Sequence, residues 1–229
     1  MKVKLVSYSQ PSEDFANEGI DDVQDLIAYA ARVSNPSNQL NTETSTRLLN
    51  YLAKHAHWSP FEMVSACLEI ETTRDIARQI LRHRSFSFQE FSQRYADPTT
   101  DLSFVTRDAR FQDINNRQNS VDLNIHDNED HAKLHLEWNE KQQDVIDAAQ
   151  EAYEWAIENG IAKEQARAVL PEGNTVSRMY MNGTIRSWIH YIDLRAGNGT
   201  QKEHMEIARE VARAITEIFP LAEEYVDAG

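Results

Sequence analysis

A single cysteine, seven glycines and six prolines in 229 residues exclude several kinds of protein before any motif is sought. One thiol, Cys67, cannot close an intramolecular disulfide, which suits a reducing compartment. In its strand-like run it reads as a small buried residue. With so little glycine the chain contains neither G-x-G-x-x-G nor G-x-x-x-x-G-K-[S/T], so a nucleotide bound here is held by side chains rather than by a Gly-rich backbone cradle. The G-x-S-x-G elbow of serine hydrolases is missing too. No run approaches about 18 uninterrupted apolar residues, and the start, Met1 to Tyr8, lacks the apolar stretch and cleavage site of a secretory leader. A cytoplasmic protein with no membrane segment is expected.

Positive charge is also scarce. The chain has 23 Lys and Arg against 37 Asp and Glu, a formal net charge of −14, and no lysine lies between His55 and Ala132. What stands there is arginine. Arg74, Arg78, Arg82, Arg84 and Arg94 are gathered with His83, Glu90 and several serines into one segment. Arginine grips phosphate or carboxylate through a planar fork and keeps its charge at neutral pH, so a shaped anion pocket is indicated rather than a diffuse basic surface. Arg74, Arg78 and Arg82 share one helical stripe, where like charges repel by roughly 0.2–0.5 kcal/mol per pair; Asp75 and Glu90 are the local carboxylates able to offset this. Beyond Arg84, polar Ser85, Ser87, Gln89, Glu90 and Ser92 alternate with Phe86, Phe88 and Phe91, a mixture that surrounds a flat polar ring. A nucleic-acid or non-catalytic nucleotide-binding module would use the same residues. A long polyanion, however, is repelled almost everywhere outside the island, whereas a mononucleotide fits within it.

Arg82-His83-Arg84, seven residues, then Ser92-Gln93-Arg94 resembles the R-H-R-x7-S-x-R signature of the flavin-dependent thymidylate synthases (ThyX). Other blocks match in order: Ala30-Ala31-Arg32-Val33-Ser34, His57-Trp58-Ser59-Pro60-Phe61-Glu62, Ala166-Arg167-Ala168-Val169-Leu170-Pro171, and Arg186-Ser187 through His190 to Arg195. The resemblance spans about Val3 to Phe219. It implies reductive methylation of dUMP to dTMP, with FAD as cofactor and NADPH and methylenetetrahydrofolate as co-substrates. It also implies a homotetramer with active sites at subunit interfaces; charge and hydropathy, as above, leave neither nucleic acid nor membrane as an expected partner.

Residue roles carry over from the same blocks. Arg195 is implied as the catalytic residue, facing the pyrimidine edge and promoting ionisation at N3; without the motif it would read as a helix C-terminal arginine. The dUMP contacts implied are Gln79 and Arg82 on a helix, Glu90, Ser92, Gln93 and Arg94 in a loop, and Arg167 and Arg195 downstream. Ser92 has no general base beside it in the sequence and reads as a hydrogen-bond donor to the nucleotide rather than a nucleophile. The FAD contacts implied are Ser59, Arg82, His83, Arg84, Glu90, Thr184, Ile185, Arg186 and His190, with His57 near flavin and folate. The sequence departs from the family at Asn182-Gly183-Thr184, which leaves one flavin contact to either Asn182 or Thr184. It departs again at His190, and at Gly197-Asn-Gly-Thr200, which lengthens the turn after Arg195. His55-x-His57 and His131-x-x-x-His135 have metal-like spacing but no evident third ligand, so no metal is expected.

Periodicity predicts one α+β domain over 1–229, with mixed helices around a small, mostly antiparallel sheet in the ThyX manner. Val3 to Ser7 and Phe61 to Ile70 read as strands, the latter with Val64, Ala66, Leu68 and Ile70 on its buried face. Helices are predicted from Asp21-Asp22 to Val33, and after a Thr42 or Thr44 cap around Leu48, Leu49 and Leu52. Another begins at Arg74 and carries Ile76, Ala77, Ile80 and Leu81. Further helices are expected over His131–Asn159, with Leu134, Trp138, Val145, Ala148, Ala149, Ala152 and Trp155 as its apolar side, and over Lys163–Leu170, Gly183–Leu194 and Gln201–Phe219. The polar stretch 97–131 has no repeat pattern and reads as a loop or lid excursion.

Overall fold

A computed structural model describes residues 1–197 and 199–225. The chain runs through β1 (Lys2–Tyr8), α1 (Glu13–Asn17), α2 (Val23–Ala31) and α3 (Ser45–Lys54) to β2 (Ser65–Thr73) and α4 (Arg74–Ile80). It continues through β3 (Ser87–Glu90), α5 (Pro98–Asp101), β4 (Arg110–Gln112), β5 (Ser120–Asp122), α6 (Glu129–Glu158) and α7 (Lys163–Ala166). The last elements are β6 (Val176–Thr184), α8 (Ile185–Arg195) and α9 (Lys202–Thr216).

One four-stranded antiparallel sheet, ordered β1-β2-β6-β3, organises the fold. In β2, Ala66, Leu68, Ile70 and Thr72 alternate inward and are buried, because successive side chains of a strand point to opposite faces. β6 pairs with β2 along its whole length, Ser65 opposite Thr184 and Thr73 opposite Val176, and buries Ser177, Met179, Met181 and Gly183. Helices cover this inner face: Ile27, Leu49, Ile76, Ile80, Trp188, Ile192, Ile207, Val211 and Ile215 form one core with it. Indole Nε1 of Trp188 donates to the Ala66 carbonyl at 3.1 Å, pinning α8 to β2. The outer face is polar, with Glu71 bridging Lys2 and Arg178 and Glu69 taking Lys4 and the Tyr180 hydroxyl. Cys67 stands on that outer face and is half-buried rather than buried; partial burial raises its thiol pKa.

Several expectations change. β6 and β3 were not anticipated as strands: two of the four inward residues of β6 are Ser177 and Gly183, so the apolar alternation that marks a half-buried strand is broken. The predicted Phe61–Ile70 strand begins only at Ser65, after a 3-10 turn over Ser59–Glu62. The excursion is structured, since Asp97 caps α5 and β4 pairs with β5 in a second small sheet. The most consequential change concerns α6, a 30-residue helix. Its inward stripe is Gln142, Ile146, Ala149, Tyr153 and Ala156, while Leu134, Trp138, Val145 and Trp155 are exposed. The helix is amphipathic twice over: of the apolar side expected from sequence Ala149 is buried, while its larger residues face the other way.

Candidate active site

Ile76, Ala77 and Ile80 bury one side of α4, and the helix stops at Ile80, so Arg82 lies beyond it rather than on it. The amides of Arg82 and His83 donate to Gln79 and Ile80 carbonyls, forming a turn that exposes Arg82 and Arg84 and turns His83 inward. The turn is anchored by Phe86, whose ring packs against Trp188 at 4.7 Å between centroids and lies where a Cβ on Gly183 would stand. The Ser187 hydroxyl donates to the Ser85 carbonyl.

Arg195 ends α8, and its Nε donates to Nε2 of His83 at 3.0 Å. A nitrogen that accepts carries no proton, and burial first, then the Arg195 charge, pushes the His83 pKa down to about 4. His83 is therefore a neutral partner. It fixes the guanidinium without cancelling its charge, unlike the carboxylates that pair Arg74 with Glu90, Arg78 with Glu172 and Arg94 with Glu164. Among the described residues Arg82, Arg84, Arg167 and Arg195 have no carboxylate partner. Arg82, Arg84 and Arg195, uncompensated and gathered around His83, mark one place prepared for an anion, and Arg167 stands apart in a second.

The chain matches the family Thy1, thymidylate synthase complementing protein, over residues 4–221. It belongs to that family. It is 46% identical over 227 residues to a probable flavin-dependent thymidylate synthase of Paramecium bursaria Chlorella virus 1, covering 99% of each chain. It is 47% identical over 221 residues to a flavin-dependent thymidylate synthase of Synechocystis sp., covering 96% of each. The fold is similar to the crystal structure of a UMP/dUMP methylase, PolB, from Streptomyces cacaoi bound with 5-Br dUMP. There the TM-score is 0.78 with 25% identity, over 99% of this chain and 94% of that one.

In this Thy1 protein the residues assigned from sequence fall into three groups. The first, Gln79, His83 and Arg195 with Arg82 and Arg84 beside them, lies where α4, α8 and α9 meet. The second lines a cavity of about 400 Å³ with Gln93 and Arg167 alongside Arg74, Arg78, Glu164 and Glu172. Arg94 reaches the same rim, because it pairs with the Glu164 carboxylate at 3.3 Å while Arg167 Nε donates to the Glu164 carbonyl at 3.3 Å. Ser92 keeps its hydroxyl near the Arg94 amide. Glu90 lies at the end of β3, where it accepts from Ser177 at 2.7 Å and from Arg74 at 3.5 Å. The third group surrounds the start of α8. Thr184 caps that helix through Ser187, Arg186 pairs with Glu62, and His190 meets Trp58 edge-on at 4.8 Å. His57 and Ser59 are exposed on the neighbouring turn. That turn follows Ala56 at φ 56°, in a helix-ending motif where His57 donates to the Leu52 carbonyl and glycine is the usual occupant; the left-handed alanine costs about 1 kcal/mol.

At two of these positions the fold limits what a ligand could meet. Ile185 has its side chain wholly in the core, so only its backbone is available to a ligand. Thr184 is occupied with the helix cap, while Asn182 is exposed on the outer sheet face opposite Cys67 and Ser87. The altered turn after Arg195 includes Asn198, which lies outside the described residues. Among the described residues no three His, Cys, Asp or Glu converge on a metal-binding point; His131 and His135 receive the Asn124 and Ala109 amides. No helix among the described residues is long and apolar enough to cross a membrane.

The donor set fits a flavin dinucleotide held without a glycine cradle. Arg82 and Arg84 offer free guanidinium groups to a diphosphate, and the exposed His190 ring, held edge-on by Trp58, offers a face for stacking. What sequence reading passed over lies on α9. Glu203 and His204 are buried beside Ile207 and Ala208, and a carboxylate and an imidazole on the apolar stripe of a helix were the available signal.

Proposed function

We propose that this Thy1 protein converts dUMP to dTMP, taking the one-carbon unit from methylenetetrahydrofolate and electrons from NADPH through FAD. The balance demands a reductant: the methylene arrives two electrons short of a methyl group, and tetrahydrofolate leaves unoxidised. C5–H of the uracil is replaced by C5–CH3, and NADPH with a proton supplies the missing hydrogens. FAD, when bound, carries those electrons between the two co-substrates.

Arg195 carries this reading. C5 of uracil attacks only if electron density is pushed into the ring, so charge accumulates at the carbonyl oxygens and N3. A guanidinium fixed by a neutral imidazole meets that charge at full strength. Gln79 and Arg82 address the same nucleotide, with Glu90 and Ser92 along its length. Arg94, Arg167 and the Gln93 amide take the phosphate, which competes with the Glu164 carboxylate for Arg94. Ser59, Arg82, His83, Arg84, Glu90, Thr184, Arg186, His190 and the Ile185 backbone serve the flavin, and His57 stands near flavin and folate. A homotetramer acting in the cytoplasm belongs to the same proposal.

Release of tritium from C5-labelled dUMP, with FAD, folate and NADPH present, tests the chemistry. Arg195→Ala should reduce release by two orders of magnitude or more, as loss of a transition-state charge contact does (about 10²–10³). An unaffected variant rejects the role of Arg195; a wild-type protein that takes up no flavin rejects the reaction. UMP is the comparison substrate, because the structurally similar PolB is a UMP/dUMP methylase.

A further inference from the structure

One chain of hydrogen bonds runs from a buried tyrosine to an ion pair and passes through Gln79. The Tyr191 hydroxyl lies 3.1 Å from Nε2 of His204, and Nδ1 of His204 lies 3.2 Å from Oε1 of Gln79. Gln79 Nε2 donates to Oε1 of Gln201 at 2.8 Å, and Gln201 Nε2 donates to Oε2 of Glu203 at 2.9 Å. Oε1 of Glu203 takes Arg110 of β4 in an ion pair that is nearly buried on both sides. His204 is wholly buried and Tyr191 is 1% exposed.

Only one proton order satisfies this chain. A carboxylate paired with arginine accepts and cannot donate, so Gln201 must present its amide nitrogen to Glu203 and its oxygen to Gln79. Gln79 is then left with its oxygen toward His204, whose Nδ1 must carry the proton. Nε2 is the acceptor and the Tyr191 hydroxyl the donor. The imidazole stays neutral: burial, and then the charge of Arg195, push its pKa down to about 3. Burial likewise raises the Tyr191 pKa and keeps its proton in place.

We propose that His204 is a positioning residue that, with Tyr191 and Gln201, locks the Gln79 amide in one sense. Gln79 thereby presents a fixed donor and acceptor to the pyrimidine and separates uracil from cytosine nucleotides. The proposal rests on the dUMP reading given above, because it needs Gln79 to face the base. Each Gln79 end uses one partner within the chain, which leaves one N–H and one lone pair. Uracil offers a carbonyl at C4 and a donor at N3, and cytosine reverses both. A freely flipping amide accepts either base, whereas an amide held from both ends rejects one, since the wrong base leaves buried polar groups unpaired.

Side-chain nitrogen NMR of the histidines should show His204 as the neutral Nδ1–H tautomer, in the protein with and without FAD. Binding of dUMP and dCMP to the FAD-loaded enzyme then measures the consequence. Tyr191→Phe and His204→Gln should each weaken dUMP binding roughly tenfold, the scale of one lost oriented hydrogen bond, narrow the dUMP preference over dCMP, and raise KM more than they lower kcat. His204→Asn, whose amide nitrogen takes the place of Nδ1 and still donates to Gln79, should retain dUMP affinity within about threefold. An Nε2–H tautomer overturns the proposal. So does an equal fall in affinity for His204→Asn and His204→Gln with base preference unchanged, which is the signature of lost packing. Wild-type protein that binds FAD but not dUMP removes the dUMP reading and the proposal together, whereas relay failure alone leaves wild-type dUMP binding intact.

Discussion

At Gly183 a Cβ would stand 2.3 Å from Cδ1 and 2.5 Å from Cε1 of Phe86. The ring cannot retreat, because Trp188 lies 4.7 Å and Tyr191 6.1 Å away on its other sides. Glycine here is a matter of space, since it lies in a regular strand pairing. Gly183→Ala should cost about 1–3 kcal/mol through overpacking, read from the shift in urea midpoint. The displaced Phe86 should drag the Arg82-His83-Arg84 turn with it, so activity should fall more than stability explains. Phe86→Leu in the Gly183→Ala background should restore part of both; purely additive losses would mean that the two residues are not in contact. Residues of this kind were readable only in part. The signature arginines stood out because of their type and spacing, but that His83 is the neutral anchor of Arg195 depends on which way a turn rotates its side chains.

The helix α6 shows how an element misleads when its pattern has two solutions. Leu134, Trp138, Val145, Ala148, Ala152 and Trp155 recur at helical spacing, yet Trp138 is 45% and Trp155 59% exposed. The core is met instead by smaller and more polar residues, Gln142 among them, whose amide nitrogen donates to the Arg107 carbonyl and whose oxygen accepts from the Arg107 amide. An apolar row of this length on the surface of one chain points to cover by another copy, in keeping with the proposed homotetramer. Trp155→Glu should leave the fold of a single chain intact, as the side chain is mostly exposed, and reduce the assembled mass measured by sedimentation. One buried charge at an interface centre costs about 2 kcal/mol or more. An unchanged mass would remove this face from the assembly. By contrast α2, α4, β2 and α9 were legible, because each carries a single apolar stripe; β3 and β6 were not, because Ser177, Gly183 and Glu90 occupy inward positions that only the Arg74 and Phe86 contacts explain.

On the scale of the whole molecule two electrostatic effects oppose each other as pH falls. The chain carries a formal charge of −14 with a pI near 5.0, so acidification toward that point relieves self-repulsion and by itself favours the compact state. His83 and His204 act the other way. Both are held neutral by burial and by Arg195, with pKa values pushed down to about 4 and about 3, and His190 is shifted in the same direction by burial and Arg186. Below the unfolded histidine pKa of about 6.5 the unfolded chain binds protons that the native protein refuses, so stability falls with pH. A fully refused proton contributes a slope of up to about 1.4 kcal/mol per pH unit; wholly buried His204 approaches that, half-buried His83 falls short of it and exposed His190 adds little, whereas relief of surface repulsion is spread thinly and screened by salt. The histidines should win: the stabilisation they reflect is complete above about pH 6.5 and is lost progressively from there down toward about pH 4 and below. Urea midpoints measured from about pH 7.5 to about pH 5 at fixed salt should therefore decline, and His204→Asn, which removes one titrating group, should flatten the decline even if its starting stability is lower. A midpoint that climbs steadily toward the pI would mean that net charge governs stability and that the neutral imidazoles around Arg195 are not held as the geometry requires.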